Sequence, residues 1–226
     1  MTVNLEKLRQ GKLYDFLMGL PLIYWFGYVG TIQARPNLAA AARDVIADPS
    51  SALANLRFCA LFASIVFNIL TIYLVVARTT PVRRTKGYLG RFFGFAGTFL
   101  GVGILHLTPA KLPLSLQALS AVMLLGGTLG SIIVLSKLGK SFSIMPEARQ
   151  LVTSGPYAYA RHPLYSMELI TIAGSAILYQ QPWASLLAVG VALLLVVRTA
   201  FEERVLSEQF PEYADYRKRV KRFGFA

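Results

Sequence analysis

An all-α integral membrane protein with about six transmembrane helices is the architecture this sequence predicts, on three observations. Apolar stretches of membrane length recur along its 226 residues, separated by short polar connectors. Only 15% of the residues are charged and 55% are hydrophobic, whereas a soluble chain carries roughly a quarter charged; the mean hydropathy is +0.52. The lysines and arginines concentrate on alternate connectors.

The expected spans lie near 13–32, 57–77, 92–108, 114–136, 164–180 and 183–200, each near the roughly 20 residues that cross a hydrocarbon core. The first reads as a retained anchor, because its apolar run exceeds a signal core and no small-residue cleavage site follows. In the connection from Arg35 to Leu56, the alanine-rich Asn37-to-Ile46 portion reads as a surface helix ended by Asp48-Pro49. Arg78 to Arg91 is a basic loop. The short third span holds Gly90, Gly94, Gly97, Gly101 and Gly103, and the fourth holds Gly126 and Gly130. Small residues at this spacing let helices approach closely in lipid, here read as packing within one molecule. Gln181-Pro182 separates the last two spans, which should form a tight hairpin with Pro182 opening the second helix. The single cysteine, Cys59, excludes an internal disulfide and reads as packing. With only two histidines, a zinc site is not expected. No repeat divides the chain. We treat it as one membrane domain, with residues 1–110 as helices of unassigned role and 111–226 as the segment carrying chemistry.

A net charge of +12 raises the question of nucleic acid, and its distribution answers it. With the amino terminus in the cytoplasm and six alternating spans, 19 of the 23 basic residues face inward, leaving Arg35, Arg43, Arg57 and Lys111 outside. This is the positive-inside asymmetry, and the excess suits anionic lipid. No nucleic-acid partner is expected. The expected location is a bacterial inner membrane with both termini cytoplasmic.

Two clusters carry the chemistry. Leu151 to Tyr165, LVTSGPYAYARHPLY, combines a Gly-Pro turn, three tyrosines and Arg161-His162-Pro163 between two apolar stretches. Pro163 disfavours a helical His162 and suits a helix's first turn, so a helix should begin there with free N–H groups that favour anions or electron-rich ligand groups. The same residue types also build an interfacial belt, and composition leaves both readings open. The second cluster is Glu202-Glu203, directly after an apolar span. Arg198, Glu202 and Leu206 share a helical face, and paired acids near lipid need a polar cavity or a partner. They suit a cationic group such as an ammonium or sulfonium, and Phe210, Tyr213 and Tyr216 offer ring faces to cover one. A solvated juxtamembrane helix is the plainer alternative.

Gly155-Pro156-Tyr157, Arg161-His162-Pro163-Leu164-Tyr165, Glu202-Glu203-Arg204-Val205-Leu206 and Phe210-x-x-Tyr213-x-x-Tyr216, preceded by Leu138-Gly139-Lys140-Ser141-Phe142-Ser143, resemble the isoprenylcysteine carboxyl methyltransferase family from about Leu114 to Phe223. The chain departs from the family pattern at Met167-Glu168, where a glycine is common, and at Phe210-Pro211, where Phe-Gly is common. The resemblance implies S-adenosylmethionine at the cytoplasmic ends of the last two helices. Tyr157, His162, Pro163, Leu164 and Tyr165 would line it, and Glu202 and Glu203 would hold its amino group or ribose. Arg161 and Arg198 would orient an anionic acceptor. The implied acceptor is a lipophilic small molecule or prenylated substrate, with an isoprenylcysteine-like carboxylate favoured because no separate general base stands out. Phospholipid amine or thiol methylation is the alternative. An NADPH-dependent reductase is disfavoured by the paired acids, and a transporter or scaffold by the scarcity of acids within the spans.

Overall fold

Long apolar helices dominate the computed structural model, which describes residues 11–84, 88–179 and 181–224. Lys7, Arg9 and Lys86, counted above among the inward-facing cations, lie outside the described residues, as do the side chains of Arg83, Arg84 and Arg91.

Helix α1 (Lys12–Tyr28) runs through a π-helical stretch (Val29–Ala34) into α2 (Arg35–Ala47). The expected break after residue 32 is therefore absent, because Ala34 and Arg35 both keep right-handed helical backbone angles. The result is a continuous 36-residue helix, about 54 Å long at 1.5 Å per residue, so it projects well beyond a core of about 30 Å. Asp48 ends it as expected. Helix α3 (Ala52–Ala77) begins at Ser51, whose hydroxyl accepts from the Ala54 N–H. Helix α4 (Tyr88–Phe99) tightens into a 3-10 stretch (Leu100–His106), and α5 (Leu114–Leu138) ends at Gly139, whose positive φ suits only glycine without strain. Helices α6 (Pro163–Leu178) and α7 (Trp183–Gln209) form the hairpin, and α8 (Tyr213–Arg219) follows. Two short strands, β1 (Arg83–Arg84) and β2 (Glu147–Ala148), pair antiparallel. Five helical stretches are long and apolar enough to cross a membrane, and α6 is a shorter apolar helix beside them. The all-α membrane class is thus the fold observed.

Packing centres on α5, which lies along α6 and α3. The core joins Leu74 and Val75 of α3, Val134 and Leu135 of α5, Phe142, Ile144 and Tyr157 of the connecting segment, and Leu164 of α6. Glycines set the close approach of α5 and α6, as the small-residue pattern implies. The effective positions are Gly127 and Gly130 rather than Gly126. A Cβ on Gly127 would lie 2.4 Å from Thr171 Oγ1 and 2.9 Å from the Met167 carbonyl oxygen, and one on Gly130 would lie 2.3 Å from Met167 Sδ. A Cβ on Gly126 would meet nothing within 4 Å. Cys59, expected in packing, faces outward on α3.

One polar cluster fastens the first helix to the rest. Buried Asp15 of α1 accepts from Arg78 Nε at 2.8 Å and from Arg149 Nη2 at 2.8 Å. Arg78 Nη2 also donates to the Asp15 backbone carbonyl at 2.8 Å, and Arg149 reaches Glu147 at 2.8 Å. Two acids and two arginines thereby balance away from water, which a buried charge requires. The cluster clamps the segment after α5 between α1 and the end of α3.

Two substitutions test these contacts by thermal unfolding of the purified protein. Gly127→Ala is expected to destabilise by about 1–3 kcal/mol through overpacking, whereas Gly126→Ala should be neutral or stabilising by up to about 1 kcal/mol. Asp15→Ala should cost about 3–5 kcal/mol by leaving two buried guanidiniums short of a carboxylate.

Candidate functional site

The hairpin geometry places the two motif clusters side by side. Helices α6 and α7 leave the same turn in opposite directions, so equal rises set Arg198 level with Pro163. Helix α7 then continues unbroken to Gln209, carrying Glu202 and Glu203 past the start of α6. Pro163 occupies the first turn of α6, and His162 caps it in a non-helical conformation without a side-chain cap. The Gly155–Ala158 3-10 turn leads into this start, with Gly155 at φ 65. The carboxyl-terminal segment crosses over it. Arg161 N–H donates to Lys221 O and His162 N–H to Arg222 O, both at 2.9 Å.

The two glutamates diverge from one helix, and His162 touches both. Its Nε2 lies 3.1 Å from Glu203 Oε1, and its Nδ1 lies 3.7 Å from Glu202 Oε2. Glu203 is buried and pairs with Arg222 Nη2 at 2.9 Å and Arg161 Nη1 at 3.3 Å. Glu202 accepts from Arg198 Nε at 3.1 Å and from the Tyr165 hydroxyl. The Arg198 guanidinium lies 5.0 Å from the Tyr165 ring centroid, and the His162 and Tyr165 rings stack at 5.5 Å. Arg198 Nη2 also donates to Ser143 O at 3.3 Å, while the Ser143 hydroxyl donates to Glu147 at 3.1 Å. The Asp15 cluster is thereby linked to the glutamates.

The tyrosines below this cluster are neutral supports. Burial pushes Tyr216 up to about 12, and its hydroxyl donates to Tyr157 O at 2.6 Å. Burial also raises Tyr157, assisted by the charge of Glu202, and raises Tyr213, assisted by Glu203. Phenols held this way stay protonated throughout the neutral range. Tyr213 and Tyr216 are buried beneath the 3-10 turn, and Tyr159 projects into the surroundings. Arg222 is held above its ordinary value by its hydrogen bond to Glu203.

Tyr157, Arg161, His162, Leu164, Tyr165, Arg198 and Glu202 line one void of about 110 Å³, with Glu203 behind His162 and Pro163 buried at the helix start. Ser143, Glu147 and Arg149 form its opposite wall. The nine expected site residues therefore converge. Sequence reasoning missed the wall and Arg222. Glu147 and Arg149 carried no spacing signal, and Arg222 was one cation among many in a basic tail. Beyond Glu203 lies a second void of about 440 Å³, bounded by Arg204, Ser207, Arg217 and Arg222. A much larger cavity of about 1190 Å³ occupies the other end of the bundle, enclosed by α1, α2, α3, α5 and α6. Among the described residues, no group of three or more His, Cys, Asp or Glu is placed to hold a metal ion.

Residues 115–213, from α5 to the first residue of α8, match the family model described as phospholipid methyltransferase. The nickel-cobalt-cadmium resistance protein NccN of Alcaligenes xylosoxydans xylosoxydans is 32% identical over 110 residues, 46% of this chain and 51% of that protein. The cobalt-zinc-cadmium resistance protein CzcN of Cupriavidus metallidurans is 43% identical over 76 residues, 32% of this chain and 34% of that protein. The chain thus spans about half or less of the length of the curated relatives it matches. The family match supports a membrane methyltransferase family over the segment that builds the site, and it does not single out the isoprenylcysteine type.

Proposed function

We propose that this protein transfers the methyl group of S-adenosylmethionine to a lipophilic acceptor at the cytoplasmic edge of the membrane. The observation that carries the reading is the convergence of Glu202 and Glu203 on His162 at the open end of α6, within the segment that matches a methyltransferase family. Carboxylates suit the cofactor's ammonium and ribose hydroxyls, the stacked His162–Tyr165 rings offer a face to an adenine or sulfonium, and the α6 N-terminus offers free N–H groups. The donor chemistry therefore fits. The void of about 110 Å³ is smaller than the roughly 300 Å³ or more of ordinary ligand sites. Binding thus entails displacement of the Ser143–Arg149 wall or of the Arg222 segment, which separates this void from the one beyond Glu203.

The residues act by positioning. The cofactor supplies an activated methyl group, and the protein aligns a nucleophile behind it in a site cleared of water. A carboxylate acceptor, as in isoprenylcysteine, would need Arg161 or Arg198 to exchange its present glutamate for the acceptor, since both are ion-paired. The phospholipid methyltransferase match and the isoprenylcysteine resemblance share a lipid-borne acceptor. The cysteine-free connections and alternating basic loops support a bacterial inner-membrane location with both termini cytoplasmic.

Two experiments test this. S-adenosylmethionine at about 100 times its dissociation constant should stabilise the purified protein by about 2.7 kcal/mol, NADPH should not, and Glu203→Gln should weaken cofactor binding at least tenfold. Intact binding in a Glu202→Gln, Glu203→Gln double variant would reject the assignment. For the topology, cysteines at positions 48 and 140 in a Cys59→Ser background should react with an impermeant thiol reagent from opposite sides. Reaction from the same side would overturn it.

A further inference from the structure

Glu168 is the one acid of α6, and the cluster above makes no use of it. It forms no hydrogen bond and no ion pair among the described residues, although Arg198 and Glu202 lie within electrostatic reach. Its position is informative. Leu164, Glu168, Thr171 and Ser175 follow one another at spacings of four, three and four, and so share one face of α6. Leu164 lines the void of about 110 Å³, and Thr171 and Ser175 line the cavity of about 1190 Å³. Glu168 stands between the two, about 6 Å along the helix from Leu164 and about 4.5 Å from Thr171. It is only partly buried by protein, and an isolated carboxylate at this depth is costly without a partner.

Charge is distributed unevenly along this axis. Toward the cytoplasm Glu203 faces two arginines, Arg161 and Arg222. Toward the membrane the unmatched charge is the acid Glu168. An acceptor approaching from the large cavity meets a carboxylate before it meets Arg198, which favours a cation and repels an anion. The cavity supplies room for an apolar body along Ala60, Leu61, Leu105, Ala121 and Leu124.

We propose that Glu168 is the acceptor-binding residue and proton acceptor of this site, and that the acceptor group it takes is the ammonium of a lipophilic amine rather than a carboxylate. This rests on the methyl-transfer reading above. The ammonium passes one proton to the Glu168 carboxylate. The freed nitrogen lone pair forms the N–C bond as the methyl C–S bond breaks, and that bond's electron pair stays on sulfur as a neutral thioether. The product is a methylammonium, and the proton on Glu168 leaves to water when the product departs.

Dodecylamine and dodecanoate serve as probes of equal chain length. In lipid nanodiscs without cofactor, calorimetry should show the wild-type protein binding dodecylamine at least tenfold more tightly than dodecanoate. Glu168→Gln should abolish that preference while S-adenosylmethionine binding persists, and Glu168→Asp should restore part of it. With cofactor present, methylation of dodecylamine should fall about 100-fold or more in Glu168→Gln. Equal binding of the two probes by the wild-type protein overturns the proposal without recourse to any variant, as does an unchanged preference in Glu168→Gln. A wild-type protein that selects the amine yet fails to bind S-adenosylmethionine would leave the Glu168 site standing and reject the methyl-transfer reading.

Discussion

Two adjacent carboxylates at the inner end of α7 must both be neutralised, and four separate segments are arranged by that requirement. Neighbouring residues on a helix point about 100° apart, so Glu202 and Glu203 cannot share one partner surface. Glu202 turns to Arg198 on its own helix and to Tyr165 on α6, while Glu203 turns to Arg161 and to Arg222 of the carboxyl-terminal segment. His162 fills the angle between them. Each partner comes from a different stretch of chain, so the start of α6, the register of α7 and the path of residues 220–224 are set together. In apolar surroundings the removal of one partner leaves a buried charge exposed to the full desolvation cost. The same network that consolidates the fold therefore holds the groups a cationic ligand would engage. A ligand entering the site competes with existing ion pairs and does not meet free charges.

The membrane class was legible from composition because lipid imposes one severe rule: backbone groups must be satisfied internally, which leaves long apolar helices as the simplest solution. The convergence of Arg161, His162, Tyr165, Arg198, Glu202 and Glu203 was legible for a related reason. A hairpin with a two-residue break has little freedom of register, so motifs at comparable distances from the turn must meet. What escaped was whatever depended on contacts between remote segments. Gly126 and Gly127 are indistinguishable by spacing within α5, and only the face that α6 presents selects Gly127. The pairing of Asp15 with Arg78 and Arg149 joins positions 63 and 134 residues apart, and no local pattern marks it. The continuation of α1 into α2 was missed because Arg35-Pro36 reads as a break. A proline in the first turn of a helix is tolerated, and here the π-helical stretch before it carries the chain through.

The short α6 has a consequence for where chemistry can occur. At 16 residues it covers about 24 Å, less than a hydrocarbon core of about 30 Å, while its partner α7 has 27 residues and covers about 40 Å. The start of α6 therefore lies deeper than the end of α7, and the polar groups gathered there form a recess below the membrane surface. The Ser143–Arg149 segment roofs that recess and is held by Asp15 of α1 on one side and Arg198 of α7 on the other. Residues before 110 thus contribute a fixed wall to a site whose motifs all lie after it. The division into an unassigned amino-terminal part and a chemical carboxyl-terminal part, drawn from motifs, gives way to one cooperative unit.

A recess of this kind separates two ligands by their solubility. A water-soluble charged molecule can reach Glu203 and His162 only past the basic tail, where Arg222 is partly exposed and easily displaced. A lipophilic molecule can approach only through the bundle, along the α6 face that runs from Ser175 to Leu164. The two routes meet at Tyr165, which is bonded to Glu202 on the aqueous side and lies three residues before Glu168 on the membrane side. The aromatic ring and the Arg198 guanidinium above it form the thin partition between the routes. Transfer of a small group across that partition requires neither ligand to leave its own phase. That arrangement gives a physical reason for building such a site inside a helical hairpin instead of on a soluble domain.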